Sequence, residues 1–326
     1  MFQAISKFMT IFSFRRKRIL FLLVLSVALP LVSLAAAAPA DKEPPGAVED
    51  ELHAPRPRSG PLNPPAAPKS GEPVNDKATM RFLETEGLKL VEAHQTLTDW
   101  RGQLGRKTCQ LKLPSAGTRK LSVVDAAQRA EAAVVIVGTF FRCNRCTNTH
   151  LATASGFFLT EAGALATSRH VLGEAGRGVV VLTRDGRLCA VKEVLAADPL
   201  NDLLILQVEG KGFTPLPLAA KADLGAPVTL VSHPENHFFT LTTGVVSRRF
   251  AQRRKDGLVE FLAITAEFAK GSSGAPVCNE SGAVIALVNN TESIYYNVER
   301  GQPVNFQMSV KNCTPAPALL GLIKTK

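Results

Sequence analysis

Short apolar segments rich in β-branched residues follow one another at close spacing from about residue 120 to residue 310. Gly, Asp or Asn separates them, and no long helical period intervenes. The segments are AAVVIVGTFF, ATASGFFLT, ALATS, GVVVLTR, LLILQV, PVTLVS, LTTGVVSR, VEFLAITAE and AVIALVNN. Many short strands of this kind predict an all-β sandwich or barrel. The proline-containing stretch GKGFTPLPLAAKADLG at 211–226 divides the region into two similar halves.

A stripe of apolar residues predicts a helix from residue 76 to residue 104. Leucines recur on it every seven residues, at Leu83, Leu90, Leu97 and Leu104. Asn75 or Asp76 can cap its first turn, and Gly105 ends it. We expect this helix to pack on the main domain, with a short coiled coil as the alternative. It defines a helical N-terminal extension over residues 76–119.

The first 40 residues have the three parts of a secretory signal. Basic RRKR at 15–18 precedes the apolar run at 19–38, and Ala38-Pro39-Ala40 offers small residues for cleavage. The apolar run is about 20 residues long, which is enough to span a bilayer, so an uncleaved membrane anchor is the alternative. Pro30 and the alanine-rich end favour cleavage. In both cases we expect export to the periplasm or beyond.

A proline-rich stretch follows the signal. Residues 39–75 contain ten of the 21 prolines, together with Gly, Ser and charges of both signs. Such a composition cannot bury a core. It predicts an extended, disordered linker over residues 41–75.

The net charge of +10 does not indicate a nucleic-acid partner. Residues 1–40 contain five basic residues and no acidic one, so half of the charge belongs to the signal. The other basic cluster lies at 248–255 and is typical of an exposed hairpin tip. Nucleic-acid binding needs a clustered basic face, which the sequence lacks. Hydrophobic residues at 45% and charged residues at 20% fit a globular domain with a sizeable core.

The stretch FAKGSSGAPV at 268–277 places two serines between two glycines in an apolar, β-rich region. Gly, Ser and Pro dominate surface turns, which is one interpretation. The other is a strained loop that presents a serine nucleophile beside backbone N–H donors. A serine nucleophile needs a base to take its proton and a third group to orient that base.

His170 and Asp202 are the candidates for the base and its orienting acid. His170 follows a predicted strand in GALATSRHVL, and Asp202 directly precedes the apolar segment LLILQV. A carboxylate there can accept the second ring N–H of histidine and hold the useful tautomer. Each residue alone is a weak signal. In the order His170, Asp202, Ser273 on a two-part β chain, the three together indicate a catalytic triad.

Three motifs make the chain resemble the trypsin-like serine proteases over roughly residues 125–310, and it looks closest to the bacterial HtrA/Deg-like branch. SGFFLTEAGALATSRHVL is similar to the segment that leads to the catalytic histidine, DPLNDLLILQV to the aspartate segment and GSSGAP to the serine loop. The resemblance implies an all-β fold of two six-stranded antiparallel β-barrels, chymotrypsin-like, with the site in the cleft between them. The protease domain would then span residues 120–326. Ser272 departs from the Asn or Asp that the family usually has, and Ala275 from its Gly.

The resemblance also implies a role for each motif residue. Ser273 would attack a peptide carbonyl, His170 would act as general base and then general acid, and Asp202 would orient His170. The backbone N–H groups of Gly271 and Ser273 would form the oxyanion hole. Because Ser272 replaces the acid used by digestive zymogens, activation by a newly freed N-terminus is not expected. We expect no PDZ domain after the second barrel.

Glu267 is a candidate for the substrate pocket. In trypsin-like enzymes the residue six before the nucleophile often lies at the base of the pocket for the side chain preceding the cleaved bond. A carboxylate buried there would attract Lys or Arg. The alternative is that Glu267 pairs with a surface base, since the HtrA-like branch prefers small aliphatic side chains. Phe268 and Ala269 would suit an apolar pocket equally well.

Six cysteines in an exported chain predict disulfides, although the sequence does not choose among the 15 pairings. RCNRC at 142–146 also resembles half of a zinc site, with Cys143 and Cys146 as ligands and His150 as a third. Without a second CxxC, the sequence favours disulfides over a metal here.

The resulting prediction is an exported serine endopeptidase that hydrolyses peptide bonds through an acyl-enzyme intermediate and uses no cofactor or metal. Its partners would be protein or peptide substrates, with membrane contact only if the N-terminal segment stays uncleaved. Two alternatives remain: a catalytically silent binding protein of the same fold, and a cysteine-rich metal-binding exported protein. The intact triad and Gly271 favour the enzyme, because a decayed site would be free to lose one of them.

Overall fold

The structure is a computed structural model, and it describes most of the chain beyond the proline-rich stretch. The described residues are 72–93, 100–143, 145–173 and 176–324. The predicted signal at 1–40 lies outside them, as does nearly all of the predicted linker at 41–75.

Within the described part of the chain, no helix has both the length and the apolar character needed to cross a membrane.

Twelve strands form two closed, six-stranded, antiparallel barrels, which confirms the predicted fold class. The first barrel contains β2 (Val134–Arg142), β3 (Thr149–Phe158), β4 (Ala164–Ser168), β5 (Gly176–Thr183), β6 (Leu188–Asp198) and β7 (Leu203–Val208). The second contains β8 (Pro227–Ser232), β9 (Thr240–Arg254), β10 (Gly257–Ile264), β11 (Pro276–Cys278), β12 (Val284–Glu299) and β13 (Gln302–Pro315). The strand order is β2-β3-β4-β7-β6-β5 in the first barrel and β10-β13-β12-β11-β8-β9 in the second.

Each barrel encloses its own apolar core. Phe158, Leu165 and Val181 are almost completely buried in the first barrel. Leu230 and Val277 are equally buried in the second. Burying a Leu, Val or Phe side chain is worth about 1.5–3 kcal/mol, and β-branched residues suit the pleated, half-buried surface of a strand. The apolar, β-branched segments of the sequence therefore form the barrel walls.

The segment at 211–226 lies between the barrels, as its place in the sequence suggested. Leu216 is fully buried, and its N–H donates to the Phe158 carbonyl of β3 at 2.9 Å. The Ala219 N–H donates to the Val284 carbonyl of β12 at 2.8 Å. The connection is thus hydrogen-bonded to both barrels, which restricts how far the two halves of a cleft can separate.

The predicted helix at 76–104 is divided. It consists of α1 (Asp76–Phe82), a π-helical turn (Leu83–Gly87), α2 (Leu88–Ala93) and α3 (Trp100–Gln103), with 94–99 outside the described residues. Asn75 is the cap, since its side chain accepts the Ala78 N–H at 3.0 Å.

The apolar stripe of this helix packs on the first barrel, so the coiled-coil alternative is not favoured. Leu83 is fully buried in one cluster with Ile136 and Phe140 of β2. Gly87 allows the close approach, because a Cβ there would lie 3.1 Å from the Phe140 ring. Packing against a barrel therefore explains the heptad spacing.

Helix α4 (Val123–Ala133) and three of the twelve barrel strands were missed in the sequence. The helix precedes β2, in a region predicted to hold only strands. Its Ser122 cap accepts the Asp125 N–H at 3.1 Å, and three alanines on one face are buried. A Ser-x-x-Asp pattern before regularly spaced alanines is the signal that could have found it. The missed strands are β6, β11 and β13.

Two further features complete the fold. β1 (Cys109–Gln110) pairs in parallel with β14 (Ile323–Lys324), after the short helix α5 (Ala316–Leu320). β12 and β13 pair well beyond the second barrel, to Glu299 and Gln302. The basic cluster at 248–255 lies at the exposed end of the β9–β10 hairpin, as predicted.

Candidate active site

The pairing of β4 with β7 brings His170 and Asp202 together. The last residue of β4, Ser168, lies opposite Leu203, the first residue of β7. His170 lies in a 3₁₀ turn directly after β4, and Asp202 directly precedes β7. The Arg169 N–H donates to the Asp202 carbonyl at 3.1 Å, and the His170 N–H to Asp202 Oδ1 at 2.9 Å. Two chain segments 32 residues apart are thus joined by their backbones.

The two side chains form a close pair. His170 Nδ1 lies 2.5 Å from Asp202 Oδ2, with the histidine side chain 51% exposed and the carboxylate only 17% exposed. A carboxylate on Nδ1 leaves the other ring nitrogen free to face solvent and substrate. This is the orientation in which a histidine can accept a proton from a nucleophile.

Asp202 is held in place by a network from the second barrel. The Asn289 side-chain amide lies 3.5 Å from Asp202 Oδ2 and donates to Thr314 Oγ1 at 3.0 Å. The Thr314 hydroxyl in turn donates to the Asn201 carbonyl at 3.1 Å. The acid of the first barrel is therefore positioned partly by β12 and β13. Nothing in the sequence indicated Asn289 as a site residue except its position at the end of an apolar segment.

The serine loop has a tightly packed backbone in which two glycines take positive φ values. Gly271 has φ 91° and Gly274 has φ 84°, which is a region that favours glycine. A Cβ at 271 would lie 2.3 Å from the His233 carbonyl oxygen, and one at 274 would lie 2.4 Å from that of Ser155. Neither position has room for another residue, so the loop is not a simple surface turn.

Ser155 of β3 anchors this loop to the first barrel. Its N–H donates to the Ser273 carbonyl at 3.0 Å, and its hydroxyl donates to the Gly271 carbonyl at 2.9 Å. Both carbonyls of the loop are therefore turned toward β3. The N–H groups of the same two peptide units, which belong to Ser272 and Gly274, therefore point away from β3. The sequence contained no signal for the Ser155 contact.

Two amides of the loop remain open. The Ser272 N–H donates to the Ala269 carbonyl and the Gly274 N–H to the Val288 carbonyl, at 3.0 Å and 2.9 Å. Among the described residues, no acceptor takes the Gly271 or the Ser273 N–H. The backbone N–H groups of Gly271 and Ser273 are thus free to bind an anionic oxygen.

Ser273 and His170 line the same cavity, which has a volume of about 410 Å³. The Ser273 hydroxyl donates weakly to the Asn289 carbonyl, at 3.4 Å. The remaining lining residues come from 268–270 and 288–291. The structure therefore places a serine and a histidine that is paired with an aspartate at one cavity.

Glu267 lies apart from that cavity. Its side chain is 75% exposed and pairs with Lys311 Nζ at 2.8 Å. The Lys311 ammonium also donates to the Phe268 carbonyl at 3.0 Å. The neighbours Phe268 and Ala269 are the ones that line the cavity.

A buried histidine that the sequence analysis did not single out lies behind the serine loop. His233 is fully buried, and its carbonyl is the group that a side chain at 271 would strike. The Phe239 N–H donates to His233 Nδ1 at 3.0 Å, so the ring accepts there and is neutral. Burial lowers the pKa of His233 to about 4. The His-Pro pair after an apolar strand is the only sequence signal for this position.

The predicted disulfides are not formed, and all six cysteines are free. Cys189, Cys278 and Cys313 are buried in three different apolar clusters, which keeps their sulfurs apart. Burial raises the pKa of Cys278 to about 12 and that of Cys189 to about 11, so both are inert thiols. Cys143 and Cys146 lie on the β2–β3 turn, away from these clusters.

Residues 154–287 match the family described as "Trypsin-like peptidase domain". The matched segment begins within β3 and ends within β12, so it includes His170, Asp202 and Ser273. This part of the chain is therefore similar to trypsin-like peptidase domains.

Proteins similar to this chain include DegP-like serine endoproteases. "Probable periplasmic serine endoprotease DegP-like" of Ectopseudomonas mendocina (strain ymp) is 30% identical over 135 residues, which is 41% of this chain and 28% of that protein. "Putative serine protease HhoA" of Synechocystis sp. is 27% identical over 170 residues, 50% of this chain and 43% of that protein. The crystal structure of a serine endoprotease from Yersinia pestis has a TM-score of 0.46 and 21% identity, over 62% of this chain and 65% of that chain. The chain spans less than half the length of the two curated relatives.

Proposed function

We propose that this chain is an exported serine endopeptidase that cleaves peptide bonds with Ser273, His170 and Asp202. The observation that carries the proposal is the 2.5 Å His170–Asp202 pair at the cavity that also contains Ser273. The similar DegP-like proteins support the same reaction class.

The acylation step uses groups that already lie around the cavity. Ser273 Oγ attacks the carbonyl carbon of the substrate while His170 Nε2 takes the hydroxyl proton. The new oxyanion is bound by the free N–H groups of Gly271 and Ser273. When the intermediate collapses, His170 gives its proton to the leaving amine and an acyl-Ser273 ester remains. Water then repeats the sequence, with His170 as base, and releases the acid product.

The Ser273 hydroxyl must leave its weak bond to Asn289 before it can react. A 3.4 Å contact is a poor hydrogen bond and costs little to break. Catalytic hydrogen bonds are often loose in free enzymes and tighten when substrate binds. The Asn289 side chain, which contacts Asp202, has Thr314 as a separate partner, so this movement of Ser273 does not require its bond to break.

The cavity favours a small apolar side chain before the cleaved bond. Phe268, Ala269 and Val288 contribute apolar surface beside Ser273, whereas Glu267 is directed to solvent and neutralised by Lys311. An exposed, paired carboxylate offers little attraction to a basic substrate side chain. We therefore assign apolar specificity to the cavity, and no role in it to Glu267.

Export is supported by two independent observations. The N-terminal 40 residues read as a secretory signal, and similar DegP-like proteins are described as periplasmic. We assign the periplasm as the site of action and unfolded or flexible polypeptides as the substrate class, because only an extended segment can enter a cleft between two barrels.

Labelling with a fluorophosphonate probe tests the proposal. The probe phosphonylates an activated serine, so we expect it to label the wild-type chain and Ser272→Ala but not Ser273→Ala. Ser272 is the matched control, since it is adjacent, buried and without a side-chain partner among the described residues. Failure of the folded wild-type chain to label would instead support a silent binding protein of the same fold.

A further inference from the structure

The β2–β3 turn gathers two cysteines and a histidine that the proposed reaction does not use. Cys143 Sγ lies 3.4 Å from Cys146 Sγ, and Cys146 Sγ lies 3.0 Å from His150 Nε2. All three ligand atoms lie within 4.8 Å of one another. They therefore surround a volume about the size of one ion.

These spacings fit a tetrahedral metal. With Zn–S of about 2.3 Å and Zn–N of about 2.0 Å, tetrahedral ligands are separated by about 3.5–3.8 Å. The Cys143–Cys146 and Cys146–His150 separations are within several tenths of an ångström of that value, and the third, between Cys143 and His150, is at most 4.8 Å, so side-chain rotations would seat the ion. A disulfide needs sulfurs at about 2.05 Å, far closer than the 3.4 Å seen here.

The strand ladder pre-positions the ligands. His150 lies opposite Phe141 in the β2–β3 register, and the two rings stack with centroids 5.4 Å apart. Cys143 follows β2 directly, and Cys146 lies within the turn. The two ends of the site are thus held by barrel backbone and by ring packing, which lowers the entropy lost when an ion binds.

The donor set selects the kind of ion. Two thiolates and an imidazole suit zinc and other thiophilic cations, and they are poor ligands for calcium or magnesium. Of the described residues, no further His, Cys, Asp or Glu joins the three. Cys146 is exposed, so an ion can enter and water can occupy the fourth position.

We propose that Cys143, Cys146 and His150 bind one zinc ion, with water as the fourth ligand, and that the ion clamps the β2–β3 turn. The same β3 strand anchors the serine loop at Ser155, five residues beyond His150. The role of the ion is structural, because none of its ligands is among the residues lining the cavity of Ser273. This site does not depend on the proposed peptidase activity.

Metal titration of the reduced, metal-free chain tests the site. Wild-type protein should bind one Zn²⁺ per chain by dialysis and elemental analysis. Co²⁺ should give thiolate-to-cobalt charge transfer and the visible bands of a tetrahedral centre. Cys146→Ser and His150→Ala should each weaken binding at least tenfold. Cys109→Ser and His237→Ala, which change the same residue types elsewhere, should bind like the wild type.

Stability gives a second measurement. Zinc should raise the unfolding temperature of the wild-type chain, since an ion that binds only the folded state stabilises it. It should have no such effect on Cys146→Ser, and since the Cys146 side chain is exposed, this substitution removes no buried contact. Fluorophosphonate labelling should be the same with and without the ion over short times.

Three results would overturn the proposal. One is the absence of saturable binding while Cys143 and Cys146 are both reduced. Another is the exported protein carrying a Cys143–Cys146 disulfide, detected as a two-hydrogen mass loss, with no metal. The last is zinc binding that persists unchanged in both Cys146→Ser and His150→Ala.

Discussion

At the scale of single residues, Asp202 combines two tasks. It has φ 57°, an uncommon conformation for an aspartate, and its backbone and side chain both bind the turn that carries His170. Its other carboxylate oxygen faces His170 Nδ1. The residue therefore sets both the position of the histidine and the tautomer of its ring.

Replacing Asp202 with Asn separates these tasks. Asn tolerates a positive φ and keeps the size of the side chain, but its amide would favour the wrong histidine tautomer. We expect kcat/KM for a peptide substrate to fall by about four orders of magnitude. The unfolding temperature should change little.

Asp223→Asn is the control, because Asp223 is an exposed aspartate paired with Lys221 on the connection between the barrels. It should keep wild-type kinetics. Near-normal turnover by a folded Asp202→Asn chain would remove Asp202 from the triad.

At the scale of elements, the segment that follows β8 supports the serine loop from behind. The Glu235 N–H donates to the Lys270 carbonyl at 2.7 Å, and the His233 carbonyl occupies the space a side chain at 271 would need. His233 itself is enclosed by Phe238 and Phe239. A charge on its ring would have to be accommodated within this apolar packing.

This burial predicts a specific loss of stability in acid. The pKa of His233 is lowered to about 4 in the folded chain, against about 6.5 in the unfolded chain. Above pH 6.5 the neutral ring is favoured in both states, and the contribution of His233 to the free energy of unfolding is fully present. As the pH falls from 6.5 to 4, only the unfolded state gains the proton, so about 3 kcal/mol of the free energy of unfolding is lost.

Urea unfolding at several pH values measures this loss. His233→Gln should show a shallower decline of the free energy of unfolding between pH 6.5 and 4 than the wild type. Equal slopes for wild type and His233→Gln would mean that the pKa of His233 is the same in the folded and unfolded chains.

At the scale of the whole molecule, the sequence predicted the architecture because its strongest signals are those of buried strands. LLILQV and PVTLVS are nearly continuous runs of apolar, β-branched residues, and both became barrel walls. β6 was missed because Lys192 and Glu193 interrupt its apolar pattern. β11 was missed because its three residues directly follow the serine loop.

The candidate site also contains some residues that the sequence could predict and others that it could not. His170, Asp202 and Ser273 could be predicted because each lies in a motif with a chemical reason for its spacing. Ser155 and Asn289 could not, since they are ordinary strand residues whose contacts arise only when the two barrels meet. Glu267 was chosen by counting along the chain, and counting does not reveal which way a side chain points.

The direction of the Glu267 side chain bears directly on which substrates the cleft prefers. Glu267 would select Lys or Arg only if its carboxylate faced the cavity unpaired, whereas it is exposed and bound to Lys311. Cleavage of a peptide library by the wild type should therefore enrich Val, Ala or Leu before the cut, and Glu267→Gln should leave that preference unchanged. Ala269→Glu is the opposing variant, because it introduces a carboxylate at a position that does line the cavity. It should shift the preference toward Lys and Arg. Enrichment of Lys or Arg by the wild type, lost in Glu267→Gln, would show instead that Glu267 leaves Lys311 and turns into the cavity when substrate binds.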